Sequence, residues 1–187
     1  MTGAIGLHGG GEYLAGDEPF LDALLVAAAR AVAEREAGHS AADPPRDEDD
    51  VEGHRIAATG AGPDGSSVPV IRIVVLPTAA ARGLPDRAAT TGVRAFERRA
   101  AALGLAARIE VARVLDGASA ADRGLVDRIA AADLVHLPGG DPDLIPTILG
   151  GTPALEAMHL AWRRGAVLAG ASAGAMALAD WTWTPHG

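Results

Sequence analysis

Apolar positions along the chain alternate between short β-branched runs and stretches with helical spacing. Ala4–Leu7 is a brief apolar run that leads into Gly9-Gly10-Gly11, the pattern of a strand entering a glycine loop. Pro19 presets the first turn of a helix, and Phe20, Leu21, Leu24, Leu25, Ala28 and Val32 follow at intervals of three and four. Val70–Leu76 is rich in β-branched residues and stops at Pro77, as expected of a strand buried on both faces. Pro85 opens a second helix, with Val93, Phe96, Ala100 and Leu103 along one side and Gly104 past its end. Arg108–Leu115 predicts a third strand. Ser119 and Asp122 resemble a capping box ahead of Leu125, Val126 and Ile129. Leu134–Leu137 predicts a fourth strand, Leu144–Leu149 and Ala154–Arg164 predict helices, and Ala166–Ala169 predicts a fifth strand that ends at Gly170.

Five strands separated by helices predict an α/β fold, a three-layer sandwich with a mostly parallel sheet, because parallel neighbours need a crossover on one face or the other. Ligands of such sheets bind at the carboxyl ends of the strands, so three loops carry the chemistry: Gly9–Glu12, Gly139–Asp141 and Gly170–Gly174. Between about 38 and 69 the periodicity is lost, and Gly, Pro, Ser, Asp and Glu dominate. That stretch predicts a flexible acidic insertion within a single domain spanning 1–187.

Composition narrows the chemistry. The 187 residues contain no cysteine, which excludes disulfides, a thiolate nucleophile and sulfur-ligated zinc. The formal charge is −8, but residues 43–52 hold six acids and one arginine, so most of the acidity is local. All sixteen basic residues are arginines, scattered along the chain, and no basic stripe points to nucleic acid. The longest uncharged stretch, Gly165–Ala179, is short for a membrane span, and the N-terminus lacks the pattern of a secretory signal. A soluble, cytoplasmic protein is the expectation. Gly9-Gly10-Gly11 lacks the spacing of a dinucleotide fingerprint, and a phosphate loop needs a lysine that this chain does not have. His8, Glu12 and Asp141 lack the spacing of a metal site, so neither a metal nor a cofactor is expected.

Gly170-Ala171-Ser172-Ala173-Gly174 matches G-x-S-x-G between a predicted strand and an alanine-rich segment. Such a turn lifts a serine hydroxyl above the sheet, and side chains on its flanks would collide with the neighbouring strand and helix; here every flanking residue is Gly or Ala. The Ala173 amide opens the next helix, where unpaired N–H groups favour a developing oxyanion. The Gly139-Gly140-Asp141 turn is placed to supply a second donor. Serine needs a base, usually a histidine held by a carboxylate. His186 is the sole histidine downstream of Ser172, at the chain end, where fraying makes it a poor base.

Among the remaining polar residues, His8 and Glu12 flank the first glycine loop and could approach the site from the first strand. The plainer alternative is that they hydrogen-bond local backbone. His136 reads as a histidine packed under a helix, Asp141 as a helix cap or an amine ligand, and Arg82 as a surface arginine or a partner for a substrate carboxylate.

LHGGGEYL near the start, LPTAAAR at 76–82, HLPGGDPDLI at 136–145 and LAGASAGAM at 168–176 together resemble the serine peptidase family that contains dipeptidase E (aspartyl dipeptidase) and cyanophycinase. That family's fold is similar to class I glutamine amidotransferases, which are flavodoxin-like. The resemblance implies Ser172 as nucleophile, amides of Gly140 and Ala173 as the oxyanion hole, and a substrate pocket at Gly10, Glu12, Gly139 and Asp141. It implies a small peptide or amide as substrate, cleaved through an acyl-enzyme on Ser172, with no nucleic-acid or membrane partner and a homodimer left open. Pro142 follows Gly-Gly-Asp where cyanophycinase usually has glutamine, which argues against that substrate. In that family the histidine and acid follow a further β segment beyond the nucleophile helix, so the chain is expected to be incomplete at its C-terminus and inactive alone. A non-catalytic binding module with the same fold is the alternative.

Overall fold

The computed structural model describes residues 2–40 and 69–179. One sheet of five strands organises them: β1 (Ile5–His8), β2 (Ile71–Val75), β3 (Ala107–Val111), β4 (Leu134–Leu137) and β5 (Val167–Ala171). Seven α-helices accompany the sheet among the described residues: α1 (Glu18–Ser40), α2 (Pro85–Ala102), α3 (Gly117–Ala120), α4 (Arg123–Ala130), α5 (Leu144–Leu149), α6 (Pro153–Arg163) and α7 (Ala173–Leu178).

Every strand pair is parallel, in the order β1-β5-β4-β2-β3. Strands β2 to β5 follow a doubly wound order in which the direction of winding reverses between β2 and β4. The N-terminal strand fills the far edge against β5, in the register Ile5↔Leu168 to His8↔Ala171. The central strands are mostly apolar because both of their faces are covered; Arg72 at the start of β2 and the buried His136 of β4 are the polar exceptions. On one face α1 and α2 pack Leu21, Leu25, Ala28, Phe96 and Ala100 against Ile71, Ile73, Leu134 and Val167. On the other, α3 to α7 close over Val74, Val135, Leu137 and Leu168 with Ile129, Ile148, Ala157 and Met158. The result is the expected three-layer α/β sandwich. Edge strand β1 is covered on one face only, and Ile5 and Leu7 are each about half exposed.

At the amino ends of the strands Asp133 is buried to 1% exposure and is gripped by arginines. Its Oδ2 accepts from the Arg72 amide at 2.9 Å and from Arg72 Nε at 3.3 Å, while Oδ1 pairs with Arg35 and lies 3.5 Å from Arg164 Nη1. One carboxylate thus ties β4 to β2, α1 and the end of α6.

Three sequence expectations shift. Helix α1 runs on through Ser40, because the Ala- and Glu-containing stretch before it sustains the helix past Gly38. The rest of the expected 38–69 insertion lies outside the described residues. The strand expected over Arg108–Leu115 ends at Val111, where the chain turns so that the Val114 amide donates to the Ala112 carbonyl at 2.9 Å. Ser119 and Asp122 do not form one capping box. Ser119 instead closes a box with Asp116 around the single-turn α3, and Asp122 caps α4 by accepting from the Leu125 amide at 2.9 Å. The Asp-x-x-Ser pairing is the same device one turn earlier.

Candidate active site

The carboxyl ends of β1, β5 and β4 meet at Ser172. This residue stands between β5 and α7 at φ 51°, ψ −117°, backbone that side-chain-bearing residues rarely adopt. The chain bends there from strand to helix within one residue. A Cβ at Gly170 would lie 2.3 Å from Gly174 backbone atoms, and one at Gly174 would lie 2.0 Å from the Leu137 carbonyl oxygen. The sequence placed glycines where the turn has no room for side chains. The Ser172 amide donates to the His8 carbonyl at 2.9 Å, fixing the backbone to β1. Among the described residues the Ser172 hydroxyl has no hydrogen-bond partner.

Two further loops reach this serine. A Cβ on Gly10 would sit 3.5 Å from Ser172 Cβ, and one on Gly139 would sit 3.1 Å from it. The Gly139 amide donates to Glu12 Oε1 at 2.8 Å, across 127 positions of sequence. The Asp141 amide donates to the Ala79 carbonyl at 2.8 Å, and the Asp141 side chain accepts from the Asp143 amide at 3.0 Å, closing a local turn; it does not cap α5, which starts at Leu144 with Asp143 as its N-cap and no side-chain cap. The Gly140 and Ala173 amides have no acceptor among the described residues. At the first position of α7 the Ala173 amide is one of the orphan donors every helix begins with. Gly10, Glu12, Gly139, Gly140, Asp141, Ser172 and Ala173 therefore lie on loops at one end of the sheet, beyond the carboxyl ends of its strands.

A cleft of about 700 Å³ opens beside the Gly139–Asp141 turn, walled in part by Glu12, Tyr13, Arg82, Arg87, Gly140 and Asp141. Glu12 and Asp141 bring carboxylates to its wall, and Arg82 and Arg87 bring guanidinium groups. A second hollow of about 470 Å³, bounded by Leu137, Ile145, Met158, Trp162, Met176 and Leu178, is apolar and offers nothing suited to acyl transfer.

The histidines are placed differently. His8 Nε2 lies 2.8 Å from Asp17 Oδ1, and the Gly10 amide approaches His8 Nδ1 at 3.4 Å, so both ring nitrogens face groups of the first loop. The ring also packs on Phe20, with centroids 5.0 Å apart. His136 is completely buried, edge-on to Phe96 at 5.3 Å and to Tyr13 at 5.7 Å, and neither ring nitrogen has a hydrogen-bond partner among the described residues. Burial, with a lesser push from His8, lowers its pKa to about 3, so it is a neutral packing residue, as its place within a strand implied. Tyr13 is held at φ 69°; burial, then the nearby Glu12 and Asp17 carboxylates, push its hydroxyl well above the usual range. His186 lies outside the described residues. Among the described residues no three His, Asp or Glu side chains gather as a metal ion requires. No helix of the described residues is long and apolar enough to cross a membrane.

Sequence reasoning missed Asp17. It is 5% exposed, contacts His8 and accepts from the Tyr13 amide at 2.8 Å, folding the loop back onto β1. Its position just before Glu18-Pro19, at a helix start, was the available signal.

An α/β sheet carrying a strand–serine–helix turn above its carboxyl edge is the architecture of serine hydrolases of several lineages. Residues 67–184 match the profile of peptidase family S51, and the chain belongs to that family. The fold is similar to that of a crystallised peptidase from an acI-B1 Actinobacterium, with TM-score 0.60 and 27% identity over 95% of this chain and 57% of that one. A putative peptidase E protein from Listeria monocytogenes EGD-e is also similar, at 13% identity and TM-score 0.46, covering 93% of this chain and 60% of that one. The chain thus spans under two thirds of the length of either structure. No curated protein matches it.

Proposed function

We propose that the protein is a serine-type hydrolase that cleaves a small peptide or amide through an acyl-enzyme on Ser172. The observation that carries this reading is the backbone of Ser172, held at φ 51° between β5 and α7 with glycines wherever a side chain would collide. Strain of this kind costs stability and persists where the surroundings enforce it, which is the mark of a functional position. Ser172 Oγ attacks the carbonyl carbon while its proton passes to a general base. The C–N bond then breaks as that proton is delivered to the leaving amine, and water hydrolyses the ester by the same steps. The Gly140 and Ala173 amides, both without acceptors among the described residues, are the donors for the oxyanion. The cleft lined by Asp141, Arg82 and Arg87 suits a small zwitterionic peptide, amine toward the carboxylate and carboxylate toward a guanidinium group.

The described histidines do not supply the base, since none hydrogen-bonds the Ser172 hydroxyl, His136 is sealed in the core and His159 lines the apolar hollow. The base is therefore sought outside the described residues. The same observation favours a second reading, a binding module that keeps the pocket and performs no turnover. A fluorophosphonate probe separates the readings when combined with an assay of dipeptides bearing an N-terminal aspartate. Labelling that is abolished by Ser172→Ala, together with turnover, establishes the hydrolase. Saturable dipeptide binding with neither labelling nor turnover establishes the binding module. Equal labelling of the wild type and Ser172→Ala removes serine catalysis.

A further inference from the structure

Glu12 comes from a loop that is fixed before it reaches the site. The Gly10 amide approaches the His8 ring, the Tyr13 amide donates to Asp17, and Tyr13 takes a left-handed backbone at φ 69°. So anchored, Glu12 carries its carboxylate to the β4–α5 turn, where Oε1 accepts from the Gly139 amide at 2.8 Å. Two residues on, the Asp141 amide is taken by the Ala79 carbonyl at 2.8 Å, and a Cβ on Gly140 would lie 2.3 Å from that same oxygen. The turn is thus pinned on both sides of Gly140, and the amide between the pins is the one without an acceptor among the described residues. Gly139 also meets the nucleophile, since a Cβ there would be 2.8 Å from Glu12 Oε1 and 3.1 Å from Ser172 Cβ.

We propose that Glu12 is a positioning residue. By engaging the Gly139 amide it locks the Gly139–Asp141 turn in the orientation that leaves the Gly140 N–H directed at the oxyanion. The inference rests on the serine-hydrolase reading and extends it to a residue outside the nucleophile turn. A bare carboxylate beside a forming oxyanion opposes it, so a negative charge at this place is tolerable only where its geometric service outweighs the repulsion. What matters is the acceptor oxygen and not the charge. Glutamine keeps that oxygen; alanine removes it.

The test combines two measurements on the whole chain. In fluorophosphonate labelling resolved into maximal rate and half-saturating concentration, Glu12→Ala lowers the maximal rate on the order of 10- to 100-fold, the penalty of a small misplacement, with little change in half-saturation. Glu12→Gln stays within about threefold of the wild type or exceeds it, because it retains the acceptor and sheds the charge. Amide hydrogen exchange at Gly139, slow in the wild type and in Glu12→Gln, becomes fast in Glu12→Ala while the amides of β4 and β5 keep their protection. Equal maximal rates for wild type and Glu12→Ala overturn the proposal, as does Glu12→Gln falling to the alanine level. An unprotected Gly139 amide in the wild type overturns it whether or not Ser172 reacts. If Ser172→Ala labels like the wild type, the serine reading fails and the positioning role falls with it, whereas intact Ser172-dependent labelling with no effect at Glu12 sinks the positioning role alone.

Discussion

The amide of Ser172 donates to the carbonyl of His8 at 2.9 Å, extending the β1–β5 ladder by one bond beyond the paired residues His8 and Ala171. The serine therefore keeps a strand-like donor while its own φ of 51° turns the chain into α7. A residue held by a neighbour's backbone in a sparsely populated conformation stores strain of about 1–3 kcal/mol.

That strain is measurable. Ser172→Gly removes the steric cost of positive φ, and Ser172→Ala keeps it, so the glycine variant is expected to be more stable than the alanine variant by about 1 kcal/mol. Urea unfolding midpoints of the two variants provide the comparison. Equal midpoints would mean that the turn is unstrained.

The Gly174 position makes a sharper demand, since an added methyl there meets the Leu137 carbonyl oxygen at 2.0 Å and backbone cannot yield as a side chain does. Gly174→Ala is expected to lose about 1–3 kcal/mol or more. Gly117→Ala, where nothing lies within 4 Å, is expected to be neutral or slightly stabilising. Thermal unfolding of the pair checks both the sign and the contrast.

Much of this site could be read from the chain because its constraints are local. A strand, a Gly-Ala-Ser-Ala-Gly turn and an alanine-rich helix follow one another directly, so the sharp turn at Ser172 was legible from spacing alone. The strands β2, β4 and β5 were legible for a related reason: burial on both faces writes a mostly apolar, β-branched or aliphatic run, interrupted only by Arg72 and His136. The contacts that assemble the site span long stretches of sequence. Glu12 and Gly139 are 127 positions apart, and no periodicity pairs an acid after one glycine loop with an amide in another. Asp17 was hidden because an acid ahead of a helix has an ordinary explanation as a cap. The ends of β3 and α1 moved for physical reasons that composition conceals: a turn at Ala112–Val114, and a helix that tolerates Gly38.

Asp133 offers a test at the opposite end of the sheet. Its carboxylate is 1% exposed and compensates Arg35, Arg72 and Arg164, the last with its pKa lowered by burial and then by Arg35. Asp133→Asn preserves the shape but leaves guanidinium groups facing one another without the charge that holds them. A loss of about 3–5 kcal/mol is expected, as for other buried pairs broken on one side. Denaturant unfolding in low and high salt should show nearly the same loss, because a buried pair is poorly screened. A loss under about 1 kcal/mol would mean that the cluster behaves as a surface ion pair.

His136 predicts a pH dependence with a definite sign. Its pKa in the folded protein is about 3 because the ring is buried against Tyr13 and Phe96, whereas an unfolded histidine titrates near 6.5. Above pH 6.5 the ring is neutral in both states and contributes no slope. As the pH falls from 6.5 toward about 3, the unfolded chain takes up a proton that the folded chain excludes. Stability then declines by up to about 1.4 kcal/mol per pH unit. Below the folded value both states are protonated and the slope disappears. Carboxylates elsewhere begin to titrate below about pH 5, so the clean window for this one residue is pH 5 to 6.5. His136→Leu replaces a ring with two unpartnered nitrogens by an apolar side chain. It is expected to be neutral or stabilising at pH 7 and to flatten the decline in that window. Urea unfolding of wild type and His136→Leu at half-unit steps measures the difference in slope; parallel curves would show that the imidazole finds a proton-binding partner in the folded state after all.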